Sequence, residues 1–263
     1  MAPSKDEIAR RFGQASRSYA ESDGHARGQD LDLLVTLVGA KRDMVVLDVA
    51  TGAGHTAAAL APLVKEIVAA DLSAGMIEEA RRLFRARGLD NAKAVLSDVE
   101  SLAFDSEMFD VVTCRIAPHH FLDPLQALRE INRVLKPQGR FVLEDSIAPP
   151  DPELDRFLNH LEVVRDPTHV RSYTEQEWRA MLERAGFSIV RSQIYRKSHD
   201  VEKWIDRQGP DPQRKKRVLA VFLNAPAPAR EYFEITFKND RAVSYTDDKL
   251  LLLTSKGPGR QSP

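Results

Sequence analysis

Residues 45–54 read Val-Val-Leu-Asp-Val-Ala-Thr-Gly-Ala-Gly, an apolar strand that runs through one acid into two spaced glycines. This order of residue types builds the floor of a nucleotide site and constrains the fold more than any other stretch. Gly52 and Gly54 carry no Cβ, so the backbone there can approach a ligand closely. His55-Thr56-Ala57-Ala58-Ala59-Leu60 follows as a helix whose N-terminus turns free N–H groups and a partial positive charge toward the loop. The loop therefore suits a polar or anionic group.

Spaced glycines also end strands in turns that bind nothing, so the flanking acids decide. Asp48 interrupts the apolar run, where a carboxylate is costly unless it receives hydrogen bonds. Ile67-Val68-Ala69-Ala70 forms a second strand that ends at Asp71, about 20 residues after the loop, the offset of an acid that accepts from ribose hydroxyls. Ala94-Val95-Leu96-Ser97 forms a third strand ending in Asp98. One such acid reads as a solvated turn; three at successive strand ends describe a site.

Elements alternate around this loop: strand 44–49, helix 54–64, strand 67–71, helix 74–87 stopped by Gly88, strands 92–97 and 109–114, helix 123–135, strand 140–146. The strands are too uniformly apolar for a half-exposed sheet, so a parallel sheet covered on both faces is expected. Before it, Ser4-Lys5-Asp6-Glu7 forms a capping box, and Ile8, Phe12, Ala15 and Tyr19 recur on one helical face. A second helix carries Leu31, Leu34, Val35 and Val38. After Pro149-Pro150-Asp151-Pro152 the pattern becomes helix 153–164, irregular 165–173, helix 174–185, strand 187–196, helices near 200–208 and 212–223, and paired strands over 233–254 turning at Asn239-Asp240. The tail from Gly257 to Pro263 is expected to be disordered.

The length of 263 residues allows one generous α/β domain, and a formal net charge of −1 gives no general nucleic-acid footprint. Arg214-Lys215-Lys216-Arg217 is the one basic cluster, expected as a solvated helix face. The single cysteine, Cys114, closes an apolar strand; it excludes an intrachain disulfide and reads as a buried inert thiol. With no secretory h-region at the start and no apolar run of membrane length, a cytoplasmic protein is expected.

The chain resembles class I S-adenosylmethionine-dependent methyltransferases, in particular the branch holding the ubiquinone and menaquinone C-methyltransferases. The resemblance runs in order through 46–55, Ala70-Asp71-Leu72-Ser73-Ala74-Gly75-Met76, Ser97-Asp98-Val99-Glu100, 109–121 and Glu130-Ile131-Asn132-Arg133-Val134-Leu135-Lys136-Pro137-Gln138-Gly139. It continues more weakly through 165–169, 185–187 and 246–250. It implies a doubly wound, mostly parallel seven-stranded sheet with an antiparallel C-terminal strand, capped by N-terminal helices and a helical insertion. One domain over 1–256 follows, divided into cap helices 1–40, cofactor core 41–147, substrate-side insertions 148–235 and C-terminal strands 236–256. Two departures stand out: Ala50 replaces a usual glycine, as in the quinone branch, and Gln138 replaces a glycine in what reads as a surface hairpin turn.

Carried over by position, the resemblance implies S-adenosylmethionine as cofactor, with Asp48, Ala50, Gly52 and Gly54 around its methionine and ribose portions. Asp71 would hold the ribose hydroxyls, Leu72 and Met76 would pack on adenine, and Asp98 with the Val99 backbone would read the adenine edge. Tyr19 and Arg27 would reach the methionine carboxylate, and Arg115 would lie beside the transferable methyl. The partner implied is a small-molecule methyl acceptor, methylated on carbon, oxygen or nitrogen, with a quinone-like ring among the candidates and with monomer and homodimer both open.

Methyl transfer needs alignment and exclusion of water, and a base only where the acceptor carries a proton. His119 and His120 follow the fourth strand at the carboxyl edge of the sheet, either as a structural turn or with one ring facing the cavity. His169, with Arg171 and Tyr173, reads equally as plain loop or as a cap offering a base, a cation and an aromatic wall. No histidine or cysteine spacing suits a metal, and adjacent His119 and His120 are expected to point apart, so no metal site is predicted. Trp178 and Trp204 fall where helix packing explains them. Two rivals remain: a nicotinamide-dependent oxidoreductase, since Gly52, Gly54, Ala57 and Asp71 satisfy a relaxed dinucleotide pattern, and a non-catalytic S-adenosylmethionine-binding protein. Asp48, Asp98 and the C-terminal hairpin count against the first.

Overall fold

The computed structural model describes residues 3–21, 26, 28–207, 209 and 211–257. Strand β1 (Val45–Val49) pairs in parallel with β2 (Glu66–Asp71) on one side and β4 (Phe109–Arg115) on the other. β3 (Ala92–Leu96) extends the sheet beyond β2, and β5 (Leu135–Ile147) extends it beyond β4, both in parallel. The last long strand, β8 (Arg241–Lys256), inserts antiparallel between β5 and β6 (Phe187–Asp200). The order is β3-β2-β1-β4-β5-β8-β6, with the three-residue β7 (Thr236–Lys238) folded back on the start of β8. Winding reverses between β1 and β4, and at such a switch point the carboxyl ends of the strands open a crevice.

Both faces of the sheet are buried across its centre, β1, β4, β5 and β8, as uniformly apolar strands require, while the edge strand β6 is largely half-buried or exposed. On one face α2 (Gln29–Val38), α3 (His55–Leu60) and α4 (Ala74–Ala86) pack Leu34, Ala57, Ile77 and Phe84 against Val46, Val111, Val142 and Leu251. On the other, α5 (Pro124–Val134) and α7 (Glu175–Arg184) bring Ile131, Trp178 and Leu182 onto Leu47, Val112 and Leu143. A third cluster joins α6 (Pro152–Arg165), α8 (Val201–Asp206), α9 (Pro212–Leu223) and α10 (Ala227–Tyr232) around Trp204, Phe222 and Tyr245. Trp178 and Trp204 are thus packing residues, and Trp204 also receives the Arg165 guanidinium 4.3 Å above its ring.

The capping boxes at Ser4/Glu7 and Thr174/Glu177 form as expected and start α1 (Lys5–Ala20) and α7. Asn239 and Asp240 hold φ of 49° and 56°, the left-handed pair a tight hairpin turn requires. Several boundaries differ from the sequence reading. The first core helix ends at Leu60 and tightens to a 3₁₀ turn over Ala61–Leu63. β5 starts at Leu135, directly from α5, and β6 runs on to Asp200. Gln138 is in no hairpin turn, because β4 and β5 are parallel; it is an exposed residue at φ 64° in the irregular start of β5. Gly257 donates its N–H to Gly186 O at 2.9 Å, so it is held to the sheet, while 258–263 lie outside the described residues.

Helix α1 lies across α4 at a crossing of two glycines. A Cβ on Gly75 would stand 2.9 Å from Gly13 Cα and 3.0 Å from Gly13 O, so the two backbones touch. That contact holds α1 over the crevice, where Ile8, Phe12 and Tyr19 of its apolar face become a roof.

Candidate active site

A pocket of about 1030 Å³, counted to its open mouth, fills the crevice at the carboxyl ends of β1, β2 and β4 under α1. Asp48 stands in its wall almost fully buried, accepting from Thr51 Oγ1 at 2.5 Å and from Thr113 Oγ1 at 2.6 Å. Burial raises its pKa to about 6, and the two hydroxyls hold it down against that rise. Asp71 closes β2 and accepts from Gly52 N at 2.8 Å and Ser73 N at 2.9 Å. The acid thereby ties the glycine loop to the second strand. Burial raises the Asp71 pKa, and those backbone N–H groups oppose it.

The two glycines part company. Gly52, at φ 56°, lines the pocket and a Cβ there would meet nothing within 4 Å. Gly54, at φ 86°, is absent from the pocket wall; its missing Cβ faces Ala80 Cβ at 2.9 Å and the Phe84 ring at 3.0 Å. Gly52 thus faces the pocket space, while the bare Cα of Gly54 lets α3 dock on α4. Ala50 and Ile116, both on the pocket wall, hold φ of 50° and 53°, a strained setting that side chains rarely adopt outside functional loops.

Leu72, Met76, Asp98 and Val99 line the end of the pocket beyond Asp71. There Lys5 Nζ bridges Asp98 Oδ2 at 2.5 Å and Glu100 Oε2 at 2.7 Å, a latch from α1 that the sequence reading passed over. At the opposite end stand Tyr19, His55, Thr56 and Arg115. Burial pushes the Tyr19 phenol up to about 12. Arg27, also expected there, lies outside the described residues. Arg115 donates to Thr56 Oγ1 at 3.0 Å and pairs with Asp30 Oδ2 at 2.5 Å, and Asp30 in turn pairs with Lys197 Nζ at 2.9 Å. Asp30 had no signal in the sequence beyond its place in the first turn of α2.

His119, His120 and His169 do converge, but only His120 lines the pocket. His119 Nδ1 donates to Asp145 Oδ1 at 2.6 Å, and its backbone N–H donates to Asp145 Oδ2 at 2.9 Å. Burial alone would lower the His119 pKa; the Asp145 carboxylate overrides it and raises the value. His169 lies behind, with Nε2 donating to Asn159 Oδ1 at 3.2 Å and its ring 5.3 Å from that of His119. The His119 and His120 rings lie 4.2 Å apart rather than pointing apart, because they occupy a 3₁₀ turn and neither a strand nor an α-helix. Arg171 pairs with Asp155 and Glu177 away from the pocket, so of the two readings of the 165–173 segment, a structural loop holds for Arg171. No group of metal-binding side chains occurs among the described residues.

Beside Arg115, Glu144 is 1 % exposed, accepts from Tyr195 Oη at 2.9 Å with Oε1, and leaves Oε2 without a hydrogen-bond partner among the described residues. Burial raises its pKa from the ordinary 4.5 to about 7, with Asp30 adding to the rise. Above pH 4.5 the unfolded chain ionises this group while the folded chain stays protonated, so stability falls as pH climbs toward 7. The full loss is about 3 kcal/mol. Glu144→Gln is therefore expected to unfold at urea midpoints that decline less between pH 5 and 8 than those of the parent. Parallel pH profiles for parent and variant would refute the assignment.

A model described as a methyltransferase domain matches residues 23–192, about two thirds of the chain. The chain belongs to the class I S-adenosylmethionine-dependent methyltransferases. YcgJ of Bacillus subtilis (strain 168), an uncharacterized methyltransferase, is 36% identical over 242 residues, covering 92% of this chain and 96% of its own. The crystal structure of YcgJ superposes with a TM-score of 0.83 over 88% of this chain and 99% of that one. A solved protein of Bacillus halodurans C-125 gives 0.85 at 35% identity over 88% and 100%. The ubiquinone/menaquinone biosynthesis C-methyltransferase UbiE of Idiomarina loihiensis is 31% identical over 174 residues, 58% of this chain and 69% of that one. Membership makes this methyltransferase an enzyme on small molecules with S-adenosylmethionine as cofactor, and it sets the oxidoreductase reading aside. The pocket fits that cofactor: Gly52 leaves room where a Cβ would stand, Asp71 offers an anchored carboxylate, and Leu72, Met76 and Val99 form an apolar slot. No helix among the described residues is long and apolar enough to cross a membrane.

Proposed function

We propose that this methyltransferase delivers the methyl in line to an oxygen, nitrogen or ring carbon that carries a removable proton, presented at His120. When bound, the cofactor supplies a methyl group already activated on a sulfonium. Asp71 and Gly52 set the ribose, Leu72 and Met76 the adenine, and Asp98 with the Val99 backbone the adenine edge. Tyr19 and Arg115 set the methionine end. Ile8, Phe12 and Leu122 shed water from the reacting atoms, which strengthens every polar contact inside.

The observation that carries the reading is the state of His120. Its Nδ1 donates to Thr168 O at 2.8 Å, which leaves Nε2 as the unprotonated nitrogen of a ring on the pocket wall. Burial and the His119 charge lower its pKa to about 4, so the ring is neutral throughout the physiological range with a free lone pair on Nε2, a weaker base than an exposed imidazole and suited to an acceptor whose proton is itself acidic. His119 with Asp145, and His169 with Asn159, back this ring and act as positioning residues. Similarity to UbiE supports a quinol-like ring as one acceptor of this kind.

Incubating the purified protein with methyl-labelled cofactor and a metabolite extract tests the reading by mass spectrometry. Label is expected in a small molecule; label confined to protein or nucleic acid overturns it, as does no label at saturating cofactor. On that product His120→Gln is expected to lower kcat by about 100-fold, within the range for loss of a general base. Its cofactor Kd should stay within about twofold of the parent. A variant that loses both together would make His120 part of the cofactor wall alone.

A further inference from the structure

Beyond Phe12 and Tyr19, away from the glycine loop, the structure gathers a second set of polar groups that the cofactor does not need. Arg165, buried at the end of α6, donates to Glu162 Oε2 at 2.8 Å and stacks on Trp204. The Tyr245 ring lies 4.9 Å from Trp204, fully buried, and its hydroxyl has no hydrogen-bond partner among the described residues. From α1, Arg11 Nε comes within 3.2 Å of Asp166 Oδ1 without hydrogen-bond alignment, and Arg11 Nη2 and Asp166 Oδ2 are buried without partners. Arg207, just past α8, donates its backbone N–H to Lys203 O at 3.2 Å; its guanidinium is within electrostatic reach of Arg165, Tyr19, Tyr245 and Glu162 and makes no hydrogen bond or ion pair among the described residues.

The charge balance of this cluster is lopsided. Arg11, Arg165, Arg207 and the half-buried Arg214 surround two carboxylates, Glu162 and Asp166. Burial and the neighbouring Arg165 charge disfavour the Arg207 cation by more than Glu162 favours it. Buried polar atoms are almost always satisfied, and uncompensated buried charge is costly. The cluster leaves a hydroxyl and guanidinium N–H groups unmet against a single unmet carboxylate oxygen, Asp166 Oδ2, and with its excess of positive charge it has the character of a site shaped for an anion. It adjoins the cofactor pocket through Tyr19, which lines that pocket and lies within electrostatic reach of Arg11, Arg165 and Arg207. Phe12 stacks edge-on between Tyr19 and His120 at 5.7 Å and 4.8 Å, an aromatic strip from the base to the cluster.

We propose that this cluster holds the oxyanion of the methyl acceptor, a carboxylate or phosphate carried on a small aromatic body whose reacting atom reaches His120. The assignment rests on the methyltransferase reading and adds the acceptor's chemical class. Arg207 and Arg11 would donate to the oxyanion, Tyr245 would add its hydroxyl, and the Phe12–Tyr19 strip would carry the ring.

Ligand-observed NMR titrations on protein loaded with S-adenosylhomocysteine test it, with benzoate, phenyl phosphate and neutral benzyl alcohol as probes. At least one anion is expected to bind about tenfold or more tightly than the alcohol. The stronger anion names the headgroup. Arg207→Gln should erase that preference, Arg207→Lys should restore part of it, and both should keep S-adenosylhomocysteine affinity within about twofold. Tyr245→Phe, which leaves the ring packing intact, should weaken the anions by about threefold and the alcohol not at all. The inference fails if neither anion binds more tightly than the alcohol, if Arg207→Gln keeps the preference, or if no probe binds at about 10 mM. Failure to bind S-adenosylhomocysteine would instead sink the methyltransferase reading beneath it.

Discussion

Alanine at Asp71 is expected to weaken S-adenosylmethionine binding by about 100-fold, close to 3 kcal/mol. Two losses combine. The ribose hydroxyls lose a charged acceptor, which is worth about 1.5–3 kcal/mol where a hydrogen bond involves an ionised partner. In the free protein the Gly52 and Ser73 N–H groups also lose their common acceptor, so the glycine loop comes untied from β2. Asn at the same position can still accept from one N–H and should fall between parent and alanine. Isothermal titration with S-adenosylhomocysteine reads the effect without any acceptor. If Asp71→Ala binds within about threefold of the parent, the carboxylate does not hold the cofactor.

Gly54→Ala is expected to destabilise the fold by about 3 kcal/mol, the sum of left-handed backbone strain and overpacking. The new methyl would collide with Ala80 and Phe84, which are buried in α4 and cannot swing aside. Because Gly54 is off the pocket wall, the remaining folded protein should bind cofactor almost normally. Gly52→Ala offers the contrast: its methyl meets no protein atom, so its cost is backbone strain plus whatever it takes from the ligand space. Urea melts of the two variants separate these outcomes. Equal stability loss, or a Gly54 variant as stable as the parent, would contradict the division of labour between the glycines.

That division marks the limit of what spacing alone conveys. Asp48, Asp71 and Asp98 were legible because each closes or interrupts an apolar run, a local pattern that survives without any partner. Which glycine meets ligand and which meets helix depends on α4, which arrives from another segment. The same holds for charges that meet across the chain: Asp30 finds Arg115 from 85 positions away and Lys197 from 167 away. No window of sequence contains such a pair. Still, a trace existed. On the α2 face of the sheet, positions that are apolar in mid-strand, Val46, Val111, Val142 and Leu251, give way two residues nearer the crevice to Asp48, Thr113, Glu144 and Lys249. Read strand by strand these are single polar residues; read across the sheet they form one buried, staggered polar band at the crevice, level from Asp48 to Thr113 and then stepping two residues to Glu144 and two more to Lys249. The histidines show the converse, since their position after β4 was plain while the choice of His120 as the ring on the wall required the turn itself.

The place of β8 bears on how the chain comes to be folded as it is made. Among the described strands β6 pairs only with β8, and β8 alone joins β6 to β5. A growing chain can therefore lay down β1 to β5 with their neighbours early, but β6 stays unpaired on the ribosome until residues 241–256 have emerged. During that interval Val190 and Ile194, exposed even in the finished fold, belong to a strand with both edges free. Unpaired strand edges are the points at which nascent chains associate wrongly. The same antiparallel insertion that completes the sheet thus makes the interval between β6 and β8 the vulnerable stage of this protein's synthesis.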